Sequence, residues 1–360
     1  MTELLLNPGP VNLSERVRNA LLRPDICHRE QEFYDLQNSV RNKLLEVYQL
    51  PQTDWAAILL TGSGTAAMEA MLASLVPVNG KVLILENGVY GERLSRIAEI
   101  HHIDHVSLRH DWAEEINLEK LEKELQYHTG LTHLAVVHHE TTTGRLNQLE
   151  SIARLCSRFN LSILLDAVSS YGAEEIKFED WNICACAATA NKCLHGVPGI
   201  SFVVCNRNEI KHMQATPART LYLDLAGYLK HQDDNSTPFT QSVQCLYALE
   251  ESLTEMFEEG GRVQRYNDYW NRMDIVREGL GSLGVIPLLK KEDCSCVLNS
   301  FYLPENLTYQ TLHDRLKQKG FVIYAGQGGL ARSLFRVSCM GAIKEEDMER
   351  FVSEFGKITD

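Results

Sequence analysis

Two residues of this chain are set up for carbonyl and proton chemistry, Lys192 and Asp166. Lys192 ends a run of nine residues without a formal charge, Ile183 to Asn191, and Gly196, Pro198 and Gly199 then let the backbone turn tightly. An ammonium among Ala, Cys and Thr side chains is poorly solvated, so its pKa falls. The neutral amine is a nucleophile toward an aldehyde. Asp166 follows the apolar stretch Leu161 to Leu165, and a carboxylate at the end of such a strand needs a cationic partner or several donors. Taken alone, the pair also fits a plain salt bridge, and Lys192 alone fits a side chain reaching water past a buried strand.

A third stretch could hold an anion. The apolar run Ala56 to Leu60 leads into Thr61-Gly62-Ser63-Gly64-Thr65 and then a helical AAMEAMLASL. Strand, glycine turn and helix together present free N–H groups and a helix dipole to a phosphate; Ser63 and Thr65 add hydroxyls. Gly62, Gly64 and Ala67 also satisfy a dinucleotide fingerprint, with Glu86 near the position of its ribose-binding acid. An NAD-dependent dehydrogenase is therefore a competing reading, although some fifty residues precede this turn. In CHREQEF, Cys27 to Phe33, Arg29 sits beside Glu30 and Glu32, which fits either a solvated helix start or an anchor for an anionic substrate.

The elements that must position these residues alternate. Strand-like runs at Lys81 to Leu85, His105 to Leu108 and Thr132 to His138 are separated by helical segments from Gly91 to His101 and Leu118 to Tyr127. The pattern predicts an α/β fold whose mainly parallel sheet is covered on both faces, with ligands beyond the strand C-termini. From about residue 260 the pattern changes: Ser295 to Tyr302, Gly320 to Tyr324 and Leu334 to Ser338 read as strands among helices, a smaller α+β domain. At 360 residues two domains are expected, with an arm at 1–15, a large domain at 16–259 and a small one at 260–360.

A net charge of −13 without a basic cluster argues against nucleic acid and anionic membranes. No targeting segment or bilayer-length apolar run is visible, so a cytoplasmic location is expected. The ten cysteines are scattered and read as reduced thiols. Cys184 and Cys186, two apart in a strand, are expected on one face. The adjacent pairs His101-His102 and His138-His139 lack metal-ligand spacing, and no metal is expected.

One cofactor employs a phosphate cradle, an acid and an imine-forming amine together, and that is pyridoxal 5′-phosphate. NAD would leave Asp166 and Lys192 without a shared task. At these residues the chain resembles the class V, fold-type I aminotransferases over nearly its whole length. NPGPVN resembles the family's amino-terminal arm, TGSGTAAMEA its phosphate loop, NGVYG its ring-stacking turn and HHETTTG the loop beside the cofactor oxygen. LLDAVSS and ANKCLHGVPG resemble its acid and lysine segments, and KQKGFVIYAG and FRVSCMG its C-terminal substrate region. ANKCLHGVPG followed by ARTLYLDL points to the branch acting on 2-aminoethylphosphonate and pyruvate. CHREQEF is closer to relatives that act on alanine or serine with glyoxylate, and FTQS replaces the more usual FTSP.

The resemblance implies a PLP-dependent transaminase with a seven-stranded sheet, homodimeric, with active sites at the subunit interface. It implies that Lys192 forms the imine and moves the proton, that Asp166 pairs with the pyridinium nitrogen, and that Ser63, Gly64 and Thr65 hold the phosphate with Thr240 of a neighbouring subunit. Tyr90 would stack on the ring, Thr141 bond the phenolic oxygen and Asn191 lie beside the phosphate. Arg336 would clamp the substrate anion, for which Arg29 is a second candidate.

Overall fold

The computed structural model of the protein describes residues 3–213 and 217–359. The outermost residues of the expected arm and small domain, 1, 2 and 360, lie outside that range.

Seven strands form the central sheet in the order Trp55–Gly62, Gly199–Asn206, Ile183–Thr189, Ser162–Asp166, Leu131–Val137, Lys81–Glu86 and Asp104–Arg109. Gly199–Asn206 runs opposite to the other six strands. Six strands therefore end at one edge, where the loops carrying Ser63, Tyr90, Thr141, Asp166 and Lys192 begin. Burial explains the uncharged run before Lys192: every residue of Ile183–Thr189 is inside, between two apolar layers that cover opposite faces of the sheet. At roughly 25 cal/mol per Å² of buried apolar surface, this double layer is the main stabilising term.

Local chemistry sets the helix ends. Ser14 Oγ accepts from Val17 N at the start of Glu15–Ala20, and Asn117 Oδ1 accepts from Lys120 N at the start of Leu118–Tyr127. The helix expected from Gly91 begins two residues earlier, at Val89, because Glu140 caps it from a distant loop. Gly260, at φ +106°, divides the long C-terminal helical stretch into Val243–Glu258 and Gly261–Ser282.

Two expectations need correction. Gly320 to Tyr324 is not one strand. Phe321–Val322 pairs in parallel with Leu4–Leu5 of the amino-terminal arm, whereas Tyr324–Ala325 joins the three-stranded sheet with Leu334–Ser338 and Leu298–Tyr302. Ile323, fully buried between them, turns the chain from one sheet to the other. Cys184 and Cys186 also do not share a face. Pairing with the neighbouring strand skips from Ile163–Ile183 to Leu164–Ala185, leaving Cys184 as an extra residue. Such a bulge reverses the alternation, and the two thiols pack in opposite layers.

Candidate active site

At the C-terminal edge of the sheet lies a cavity of about 450 Å3, lined by Thr61 to Thr65, Met68, Tyr90, Arg93, Val168, Thr189, Asn191, Lys192, Pro198 and Gly199. Three other hollows among the described residues are larger, about 700, 950 and 490 Å3, but none contains Lys192 or the glycine turn.

Lys192 is held at the cavity by a short hydrogen bond from Nζ to the carbonyl oxygen of Pro8. Burial lowers its ammonium to about 8; Cys193 and Asp166 oppose the shift, Arg336 and Arg93 reinforce it. Asp166 is buried two residues from Val168 in the wall, and its Oδ1 accepts from Val168 N at 2.9 Å. Burial raises this carboxyl to about 6, against the pull of that N–H, Arg93 and Lys192. Lysine and aspartate thus feel each other's charge, and both feel Arg93.

The glycine turn feeds the helix Gly64–Leu75, whose Ser63 cap position makes no side-chain capping bond. Its amino end is open toward the cavity. Gly64 lets the turn pack closely, since a Cβ there would stand 2.8 Å from Val168 Cγ1. The helix Val89–Ile100 is different: Glu140, fully buried, accepts from Tyr90 N and Gly91 N, both at 3.2 Å. One helix end is satisfied by the protein's own carboxylate, and the other is left for an external anion.

Arg93 was not singled out by sequence, yet it lines the cavity. Its Nη1 donates to Thr65 Oγ1 at 3.2 Å, and its guanidinium lies 4.6 Å from the centre of the Tyr90 ring. Its spacing of three from Tyr90 on one helix was the available signal. Nor did the sequence signal that the expected arm touches the lysine, yet its Pro8 and Gly9 reach Lys192.

The remaining expected residues divide into three groups. Tyr90 and Asn191 line the cavity, with Asn191 Oδ1 accepting from Thr189 Oγ1 at 2.9 Å. Thr141 and Arg336 are buried but are not among the residues lining the cavity; the Thr141 carbonyl accepts from Arg336 Nη1 at 2.8 Å, and Arg336 Nε donates to Ala325 O at 2.8 Å. Thr240 and Arg29 are exposed and do not line the cavity of their own chain. Glu86 is buried against Ser95 and bonded by Arg109 Nε at 3.1 Å, so the acid the dinucleotide reading required is engaged elsewhere.

These features match pyridoxal phosphate group by group: an uncapped helix end for the phosphate, a buried carboxyl for the ring nitrogen and a poorly solvated amine for the aldehyde. His139 adds a buried Nε2 with no partner, on a ring whose pKa burial lowers to about 4 and whose charge Lys192 further disfavours.

Fold and site together define a fold-type I transaminase. The aminotransferase class-V family model matches residues 13–351, and the chain belongs to that family, whose members use pyridoxal phosphate, as this enzyme does. It is 36% identical over 363 aligned positions, 99% of each chain, to the 2-aminoethylphosphonate–pyruvate transaminases of Bacillus cereus strain AH820 and Bacillus anthracis strain A0248. Among solved structures, alanine–glyoxylate aminotransferase from Nostoc superposes with a TM-score of 0.93 at 27% identity, covering 100% of this chain and 96% of that one. No helix among the described residues is long and apolar enough to cross a membrane.

Proposed function

We propose that this transaminase moves the amino group of 2-aminoethylphosphonate to pyruvate, giving phosphonoacetaldehyde and alanine, or runs the same exchange in reverse. The observation that carries the substrate reading is the full-length 36% identity to relatives bearing that name. The chemistry is supported by the placement of Lys192 in the cavity wall and of Asp166 buried behind the wall residue Val168, to whose N–H it is bonded.

Bound pyridoxal phosphate supplies a carbonyl that exchanges amines and a ring that accepts the electron pair left on the donor carbon. In this reading Ser63, Gly64, Thr65 and Asn191 hold the phosphate, with Thr240 of the partner subunit. Asp166 would face the ring nitrogen and, as a carboxylate, would favour a proton there. Tyr90, in the cavity wall, would pack on the ring, and Thr141 would bond the phenolic oxygen. Lys192 Nζ, which burial leaves poorly solvated, would be the group that moves the proton between the donor carbon and the cofactor side. Arg336 receives the substrate anion, Nε and Nη1 being fixed by carbonyls and Nη2 being left to donate. Arg29 would meet substrate only across a subunit boundary.

The homodimer belongs to the same proposal. Leu221 is 84% exposed although apolar, and the neighbouring Tyr222 donates to Thr61 O at 3.1 Å beside the phosphate turn. A partner chain covering this patch would also bring residues to the cavity mouth. The arm at 1–15 and the boundary near 260 are part of the reading, with Arg336 joining the two domains through Thr141. Ten free thiols suit the reducing cytoplasm.

The test is spectroscopic. Purified enzyme should show a visible absorbance that 2-aminoethylphosphonate removes and pyruvate restores. A second reading, transfer from alanine or serine to glyoxylate, is favoured by the Nostoc superposition. It would replace the first if alanine or serine removed the absorbance and 2-aminoethylphosphonate did not. Sedimentation velocity tests the dimer.

A further inference from the structure

At the opposite end of the sheet from the cofactor cavity, the strand bulge described above has a second consequence. His133 lies near the start of Leu131–Val137, Cys184 is the extra residue near the start of Ile183–Thr189, and Glu209 is on the helix Arg207–Met213, which follows the antiparallel strand. One ring nitrogen, the thiol sulfur and one carboxylate oxygen from these three residues all lie within 4.8 Å of one another. We propose that His133, Cys184 and Glu209 form a zinc site remote from the catalytic cavity.

The chemistry of each donor supports this. Thr132 Oγ1 donates to Lys81 O at 3.3 Å, so it accepts from His133 Nδ1, 3.0 Å away. That bond fixes the tautomer with its proton on Nδ1 and leaves the lone pair on Nε2, the arrangement found behind metal-bound histidines. The bulge turns Cys184 out of the layer that Cys186 occupies and into the cluster; its thiol has only a weak contact to Ile163 O at 3.4 Å. Among the described residues Glu209 makes no hydrogen bond or ion pair, an unusual state for a half-buried carboxylate beside a buried thiol and imidazole.

Sulfur, nitrogen and oxygen donors together select zinc over calcium or magnesium. Tetrahedral zinc would bring its ligand atoms to about 3.3–3.8 Å from each other, a closure of about 1 Å at most that side-chain rotation of Glu209 and of the Cys184 thiol would share. Binding replaces the Cys184 S–H proton, which leaves to solvent, and water fills the fourth vertex. The ion would tie two strands of the central sheet to the Arg207–Met213 helix. The sequence reading missed the cluster because its members come from separate elements and meet only through the bulge.

The test uses the cofactor-loaded enzyme, equilibrated with zinc chloride and dialysed against metal-free buffer. Elemental analysis should find about one zinc per chain, with a thermal midpoint above that of the zinc-free enzyme. Glu209→Gln and Cys184→Ala should each lose most of that zinc and the thermal gain while keeping the zinc-free transaminase rate. Cys186→Ala, on the other face, should retain the metal. No retained zinc in the unaltered enzyme, or equal retention by Glu209→Gln and Cys184→Ala, overturns the proposal. Loss of zinc from Cys186→Ala as complete as from Cys184→Ala does so too.

Discussion

The amine of Lys192 donates to the backbone carbonyl of Pro8, so the lysine read as the reactive group is held by the amino-terminal segment, 184 residues earlier in the sequence. Gly9 permits this contact. Its φ is +110°, and a Cβ there would stand 2.9 Å from both Cδ and Nζ of Lys192. Gly9→Ala should therefore displace the amine or the arm and lower kcat by about 10- to 100-fold, the range in which small misplacement of reacting groups is felt. Steady-state kinetics together with cofactor content checks this. An unchanged kcat at full cofactor content would show that the arm does not position the amine.

The depressed Lys192 pKa has a measurable cost. Burial lowers it from 10.5 to about 8, so the folded apoprotein binds fewer protons than the unfolded chain between those values and stability rises with pH across that window. The penalty is absent above the unfolded value and fully present below about 8. Removing the amine as Lys192→Met should stabilise the apoprotein at pH 7 by on the order of 2 kcal/mol, an advantage that shrinks toward pH 10.5. Urea melts of both apoproteins at several pH values measure it. The same variant should have no transaminase activity.

Legibility in the sequence followed the range of the interactions. Lys192, Asp166 and the Ser63–Thr65 turn each close a strand, so an apolar run followed by a polar or glycine residue pointed to one sheet edge without knowledge of strand order. Arg93 was hidden because its neighbour Thr65 is 28 residues away, and helix periodicity alone cannot distinguish a cavity-facing arginine from a solvated one. The Cys184 bulge was hidden for a similar reason, since a register shift belongs to a pair of strands. Thr240 and Arg29 depend on a second chain in the proposed dimer, and their own chain leaves both at the surface.

Arg93 is expected to act on cofactor retention. It bonds Thr65 beside the open helix end and brings a positive charge into a protein whose net charge is −13. Arg93→Ala should weaken pyridoxal phosphate binding by about 10- to 100-fold, the loss of one charge-assisted contact of about 1.5–3 kcal/mol. Arg93→Lys should recover part of it. Equilibrium dialysis of the apoprotein gives both values, and equal retention by all three proteins would limit Arg93 to a packing role.

Arg336 should govern substrate affinity. Two carbonyls, from Ala325 and Thr141, orient its guanidinium. The two carbonyls are reached by different nitrogens of the planar fork, and the single nitrogen of a lysine cannot reproduce that spread while facing the substrate. Arg336→Lys should raise the KM for pyruvate by at least about 10-fold, corresponding to about 1.4 kcal/mol, with little change in cofactor absorbance. A KM within twofold of the unaltered enzyme would move the anion site elsewhere.

Glu140 and Gly88 provide the last test, on the loop that carries Tyr90. Glu140 is the carboxylate at the start of Val89–Ile100, and burial raises it to about 7 even though it accepts from Thr142, Tyr90 and Gly91. Glu140→Ala leaves those buried donors unpaired and should cost about 1–3 kcal/mol. A Cβ on Gly88 would fall 2.3 Å from Glu140 Cδ, so Gly88→Ala must push the carboxylate off the helix end and should cost about as much, about 1–3 kcal/mol. Both variants damage one contact, and the alanine at 88 has no carboxylate to strike once Glu140 is truncated. The double variant should therefore be more stable than the sum of the single losses predicts, by about 1 kcal/mol or more. Chemical denaturation of the four proteins measures that coupling; simple additivity would mean that the helix carrying Tyr90 and Arg93 is not held in place by Glu140.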